Sequence, residues 1–216
     1  LRYNSEFKSL NRIDGKVTGI TLSSGEKINS NAVILACGGF ESNDDMRSAL
    51  IGPEWSVAKV RGTPHNTGDG LRAAWDLGAQ RYGRFDGCHA TPMDFFMKNY
   101  GNLDIPHCER KNYRKISYFL GVMLNENGER FVDEGSNFRN YTYAQFGKAV
   151  LKQPGHRAWQ IFDSKVFDLM YGEYRFFDAK YEEANTLLEL LQKCDGIDVL
   201  AAEETLKEFN QGVRHS

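Results

Sequence analysis

Residues 31–45, NAVILACGGFESNDD, hold a short apolar run that stops at two glycines. Ala32, Val33, Ile34, Leu35 and Ala36 leave no polar position between them, the pattern of a strand buried on both faces of a sheet. Gly38 and Gly39 follow, where the backbone must turn sharply or pass close to something that leaves no room for a Cβ. In α/β sheets, ligands gather at the carboxyl ends of the strands. A buried strand with an ordinary glycine turn carries the same pattern, so both meanings stay open on these residues alone.

Upstream, residues 7–10 suit a short strand, with Asn11 to Gly15 as its turn. Residues 17–22 alternate loosely, Ser23-Ser24-Gly25-Glu26 turns, and Lys27-Ile28 returns, a β-hairpin feeding the buried run. Downstream, residues 41–51 form a short polar helix ended by Gly52-Pro53, and 57–66 read as a loop. Asp69 stands where an N-cap belongs, with Leu71, Ala74, Trp75 and Gly78 at helical spacing and Gly78 as an αL stop.

The second half begins irregularly over residues 82–115, and loops that long are usually functional or disordered. A strand is expected over 117–124, a turn at Glu126-Asn127-Gly128, and a hairpin return through Arg130-Phe131-Val132. Residues 141–151 suit a helix stopped by Pro154-Gly155, and 158–162 a strand with Asp163 capping the next segment. Thr186-Leu187-Leu188-Glu189 is a capping box, with Asp195-Gly196 at the stop, and a last helix spans 203–210. Both C-terminal helices read as packing.

With 216 residues, a net charge of −2 and both signs dispersed, the chain has room for a sizeable core and no signature of a nucleic-acid partner. No apolar run approaches the roughly 20 residues that span a bilayer, and no signal-peptide pattern opens the chain. Cys37, Cys88, Cys108 and Cys194 are scattered without a C-x-x-C pair. They suit reduced, mostly buried thiols in a cytoplasmic protein better than disulfides or a metal site.

Taken in order, Gly38-Gly39, Thr67-Gly68-Asp69-Gly70, His89-Ala90-Thr91-Pro92, Asn125 to Phe131 and Asp133-Glu134 resemble the flavoproteins of the fumarate reductase and succinate dehydrogenase family. Within it, Arg130 to Gly135 and Asn137 to Tyr143 are most similar to the branch that oxidises tricarballylate. The resemblance runs from about Gly15 to the C-terminus. It implies an α+β architecture: residues 1–80 as the hairpin and strand edge of an FAD-binding domain, and 81–216 as a substrate-capping domain. The family's Gly-rich fingerprint, G-x-G-x-x-G, occurs nowhere here, and the family's C-terminal portion is unmatched. The chain is therefore expected to be a fragment that does not hold FAD tightly by itself.

The same resemblance implies the site. Phe7, Ala36, Gly38, Gly39, Asp69 and Gly70 would meet the FAD, Asp69 either as a helix cap, a flavin contact or both. His89, Thr91 and Arg114 would bind a polycarboxylate, and Arg139, with His89, would carry the catalysis. Arginine has a pKa above about 12, yet it binds a carboxylate bidentately while its proton exchanges with a relay. The spacing from Glu134 to Arg139 is one residue longer than in fumarate reductases. The relay glutamate those enzymes keep upstream has no counterpart near Arg114, with Tyr118 the nearest polar substitute. The implied reaction is hydride transfer between flavin N5 and a C–C bond, of the tricarballylate to cis-aconitate type, with an electron donor or acceptor the residues do not identify. Alternatives are a fumarate reductase, an aspartate oxidase, a ketosteroid dehydrogenase relative, or a non-catalytic binding module. An apolar pocket around His89 would favour a steroid, and clustered arginines a polycarboxylate.

Overall fold

Asp14 and Gly15 take φ values of 46° and 80°, the two left-handed residues that a type I′ hairpin turn requires. Around them β1 (Phe7–Ile13) pairs antiparallel with β2 (Lys16–Leu22), and β2 with β3 (Lys27–Asn29). The expected turn at 11–15 thus narrows to its last two residues. The computed structural model of the chain describes residues 1–100, 106–110, 112–176 and 178–214. Residues 101–105 and 111 of the irregular stretch lie outside those described. Two compact units emerge, Leu1–Ser56 with Gly62–Gly87, and Val57–Arg61 with Cys88–Ser216.

In the first unit, α1 (Asp44–Leu50) is capped by Asn43, whose side chain accepts from the Met46 amide at 2.9 Å. Arg47 points inward, 2 % exposed. It donates to the Glu41 and Ser56 carbonyls at 2.6 and 3.0 Å and pairs with Asp44 at 2.6 Å. α2 (Asp69–Asp76) starts after Gly68, whose φ of 83° makes it the capping residue, with no side-chain cap. Asp69 is therefore the first helical residue and not the expected N-cap. A Cβ on Gly68 would meet Phe40 Cβ at 2.9 Å, so both conformation and packing demand glycine there. Arg12 donates to the Leu77 carbonyl at 3.0 Å, tying β1 to the end of α2.

The expected buried strand over 32–36 does not form. The run is extended but belongs to no sheet, and Ile34 is 91 % and Leu35 40 % exposed. A strand buried on both faces needs neighbours and two covering layers. In this unit the only sheet among the described residues is β1–β2–β3, and it does not extend to this run.

The second unit is built on β4 (Val122–Leu124), which pairs antiparallel with β5 (Trp159–Ile161). The strand expected over 117–124 loses its first half to a 3-10 turn at Tyr118–Leu120, closed by the Leu120 and Gly121 amides on the Ser117 and Tyr118 carbonyls. α4 (Leu187–Lys193) and α5 (Val199–Arg214) cover one face, where Val122 and Leu124 join Leu191, Ile197, Ala202 and Leu206. Met123, between them, points to the other face and packs with Ile116, Tyr118 and Phe146 of α3 (Arg139–Leu151). The period of two along a strand thus divides one short segment between two cores.

The expected return through 130–132 shrinks to a single bridge, Leu124 to Arg130. The Met123 amide donates instead to Glu134 Oε1 at 2.6 Å, and Arg130 pairs with the same buried carboxylate. A side chain has taken the place of the hairpin ladder. The 126–128 turn forms as expected and sits on α5, because a Cβ on Gly128 would strike the Ala202 amide. The capping box at Thr186 and Glu189 closes in both directions, 3.3 and 3.2 Å, and Asp163 accepts from the Lys165 amide at 3.0 Å. α5 begins four residues before its expected start because Asp198 accepts from the amides of Leu200 and Ala201, each at 3.1 Å.

Both sheets are antiparallel and stand beside helices, an α+β arrangement. All four cysteines are reduced, but Cys37, Cys88 and Cys108 are exposed, against the expected burial, because they lie outside the helix- and strand-built cores. Cys194 alone is buried, and burial pushes its thiol up to about 11. Among the described residues no helix is long and apolar enough to cross a membrane.

Candidate active site

The FAD-contact candidates all lie in the first unit, and the structure brings four of them together. The Gly68 amide donates to the Gly39 carbonyl at 3.0 Å, and Ser42 and Asn43 bind the carbonyls of Asn66 and Thr67 at 3.0 and 2.9 Å. The glycine pair is thus held against the start of α2. A Cβ on Gly38 would reach Asn66 Oδ1 at 2.5 Å, and one on Gly70 would strike Cys37 Sγ. These glycines already serve the chain's own packing. Phe7 begins β1 opposite Leu22, and Ala36 is exposed on the extended run.

Asp69 projects a half-exposed carboxylate, bonded to Thr67 Oγ1 at 2.5 Å and to Arg72 at 2.6 Å. The Thr67 hydroxyl, with the Arg72 charge behind it, holds this carboxyl below the usual carboxylate range. It stays an anion with lone pairs to spare, since a carboxylate offers about four acceptor positions.

The substrate-side candidates lie in the second unit. Arg139 is the first residue of α3, after Phe138 at the cap position. Arg139, Tyr143 and Gly147 recur every four residues and so share one face of the helix. Tyr143 meets the exposed His89 ring edge-on, centroids 5.2 Å apart. Gly147 lets the backbone of Ala90 and Thr91 lie directly on α3, where a Cβ would strike the Thr91 amide. Thr91 Oγ1 is buried there without a hydrogen-bond partner among the described residues. The face of α3 that carries Arg139 thus meets the His89–Thr91 segment one and two turns further on, through Tyr143 and Gly147.

The Arg139 guanidinium lies 5.0 Å from the Tyr171 ring, and among the described residues no hydrogen bond or ion pair engages it. Behind it, Tyr118 is fully buried and shares a hydrogen bond of 2.8 Å with Thr142 Oγ1. Burial pushes its phenol up. Tyr118 therefore braces the first turn of α3 and does not partner Arg114. Arg114 itself donates through Nε and Nη2 to Glu173 Oε1, at 3.1 and 2.8 Å. Lys115 pairs with the buried Asp94 at 3.2 Å.

Sequence reasoning missed Tyr143, Tyr171 and Glu173. The four-residue spacing from Arg139 was a usable signal for Tyr143. Tyr171 and Glu173 sit in or beside short 3-10 turns far from their partners, and nothing local marks them. An open polar cleft of about 650 Å³ is lined by Glu129, Arg130, Thr205, Glu208 and Phe209, none of them an expected site residue.

The pattern defining the FAD binding domain family matches residues 1–215, and the chain belongs to that family of flavoproteins. Among its relatives, the vinyl phenol reductase of Lactiplantibacillus plantarum is 32% identical over 168 residues, 76% of this chain and 32% of that protein. The 4-oxocyclohexanecarboxylate 2-dehydrogenase of Sinomonas cyclohexanicum is 32% identical over 215 residues, 91% of this chain and 34% of that protein. The open conformation of a flavocytochrome c3 fumarate reductase superposes with a TM-score of 0.64 at 25% identity, covering 98% of this chain and 36% of that one. The chain spans about a third of the length of the curated relatives it matches.

FAD is the cofactor of this family, and two features of the first unit fit it. Asp69 offers an ionised acceptor at the start of α2. Beside it, the largely exposed backbone from 33 to 37 makes no hydrogen bonds among the described residues, which leaves its donors and acceptors open to a ligand.

Proposed function

We propose that the chain is the part of an FAD-dependent oxidoreductase that carries its substrate-side arginine, acting on a C–C bond of a carboxylate-bearing substrate. The finer form is a polycarboxylate of the tricarballylate type. The observation that supports it is Arg139, an arginine without a carboxylate partner among the described residues, on the helix face that meets the His89–Thr91 segment. A planar fork without an anion suits a substrate carboxylate, bound bidentately.

When bound, FAD supplies the two-electron redox chemistry. The residues of this chain bind, orient and move a proton. Arg139 holds a carboxylate and exchanges a proton at the carbon next to the one that gains or loses hydride. His89 donates to a second carboxylate, and its ring orientation is set by Tyr143. The buried Thr91 hydroxyl can donate to the same ligand, which would give it the partner it lacks. Asp69, Gly38, Gly39 and Gly70, with Ala36 and Phe7, belong to the flavin side.

Arg139→Lys in the full-length flavoprotein tests this. Lysine keeps the charge and loses the fork. If Arg139 moves the proton, kcat and kcat/KM fall together by about 10²–10⁴. If it only binds, KM rises and kcat stays. His89→Ala, as the comparison, weakens substrate binding more than it slows turnover. Near-normal kcat and KM for Arg139→Lys would overturn the assignment.

A second reading, a ring substrate such as a phenol or cyclic ketone, is favoured by the rings of Tyr143 and Tyr171 beside His89 and Arg139. Turnover of a vinyl phenol in preference to any di- or tricarboxylate would select it.

A further inference from the structure

Residues 171–174 touch every cation of the cluster formed by Arg114, Lys115 and Arg139. The Tyr171 ring lies 5.0 Å from Arg139. Glu173 Oε1 accepts from Nε and Nη2 of Arg114 at 3.1 and 2.8 Å, and its backbone carbonyl accepts from Lys115 Nζ at 3.0 Å. The Tyr174 ring lies 4.8 Å from the same ammonium. The segment is itself anchored, because the Tyr171 amide donates to Ser117 Oγ at 3.0 Å. The Ser117 amide in turn donates to the Tyr174 hydroxyl at 2.9 Å, and that hydroxyl donates to Gln160 at 2.6 Å.

The three cations are treated unequally. Arg114 faces a carboxylate that is 11 % exposed, and Lys115 faces one that is 7 % exposed. Arg139 faces an aromatic ring with no net charge, which attracts a guanidinium without neutralising it. One cation of the three is left at full charge for an incoming anion.

We propose that Glu173 is a specificity-determining residue: by neutralising Arg114 it limits how strongly the site takes one further substrate carboxylate. This rests on Arg139 as the carboxylate anchor. Removing the Glu173 charge leaves a half-exposed guanidinium in the same cluster. A charge-assisted bond is worth enough to shift affinity about tenfold.

The test has two arms, both on the full-length flavoprotein. In the first, phenylglyoxal modification of arginines is followed residue by residue. Arg139 should react about tenfold faster than Arg114 in the wild type, and E173Q should bring the two within about twofold of each other. Equal rates in the wild type, or an unchanged Arg114 rate in E173Q, would overturn the pairing. The wild-type measurement stands even if E173Q does not fold.

In the second arm, tricarballylate and succinate are titrated calorimetrically. E173Q should raise the affinity ratio of the three-carboxylate over the two-carboxylate acid about tenfold. The double variant R114Q/E173Q should return it to the wild-type value. An unchanged ratio in E173Q would overturn the specificity role. Failure of the wild type to bind either acid would overturn the carboxylate reading and the specificity role together, while the labelling would still decide whether Glu173 masks Arg114.

Discussion

The segments 32–36 and 122–124 are both short, wholly apolar runs, and their fates are opposite. In the first, Ile34 is 91 % exposed and the backbone lies in no sheet. In the second, Leu124 is 0 % exposed, with β5 along one edge, the Glu134 carboxylate on the other, and helices over both faces. An apolar run becomes a buried strand when the chain also supplies its edges and covers. The first unit supplies neither to residues 32–36.

Amide exchange should separate the two runs most widely. Residues 122–124 should be protected to the level of global unfolding, about 10⁴-fold or more beyond residues 33–37. Comparable protection in both would mean that the first run has found a sheet partner in solution. The next largest contrast is truncation. Leu124→Ala should cost about 2–5 kcal/mol in chemical denaturation, as transfer and cavity terms add in a closed core. A loss below about 1 kcal/mol, outside that range, would show that α4 and α5 do not seal that face.

Gly147→Ala sharpens the comparison from the side of the site, since the new Cβ must push the backbone of Ala90 and Thr91 off α3. We expect about 1–3 kcal/mol of destabilisation, as for overpacking elsewhere, with a change in the His89 imidazole NMR signals. Unmoved His89 resonances would contradict the contact. Smallest of all, Ile34→Ser should change stability by less than about 0.5 kcal/mol, the usual size for an exposed position. A loss as large as that of Leu124→Ala would put Ile34 in a core.

Local chemistry was the legible part of the sequence. Asp14-Gly15, Asp163 and the Thr186–Glu189 box act over a few residues, and each shapes its element where its residue type leads one to expect it. Asp69 misled because an aspartate one residue too late looks like a cap, while Gly68, at φ 83°, was the residue that could turn. The hairpin return after Gly128 misled for a long-range reason, a carboxylate at position 134 capturing the Met123 amide. The site divided in the same way. Arg139, His89 and Thr91 were candidates through family resemblance alone, and α3 meets the last two through Tyr143 and Gly147. Glu173 was invisible, because an ion pair with Arg114 across 59 positions leaves no periodic trace.

The two-sided burial of β4 also sets a timetable for synthesis. Its cover on one side comes from Leu191 to Leu206, some eighty residues after the strand itself. At the roughly 5–20 residues per second of translation, β4 waits roughly 4–17 s before that side can close. During that interval Val122 and Leu124 are an adhesive surface on a nascent chain. Slowing synthesis between β4 and α5 should therefore raise the share of chain lost to aggregation, with no change in the finished protein.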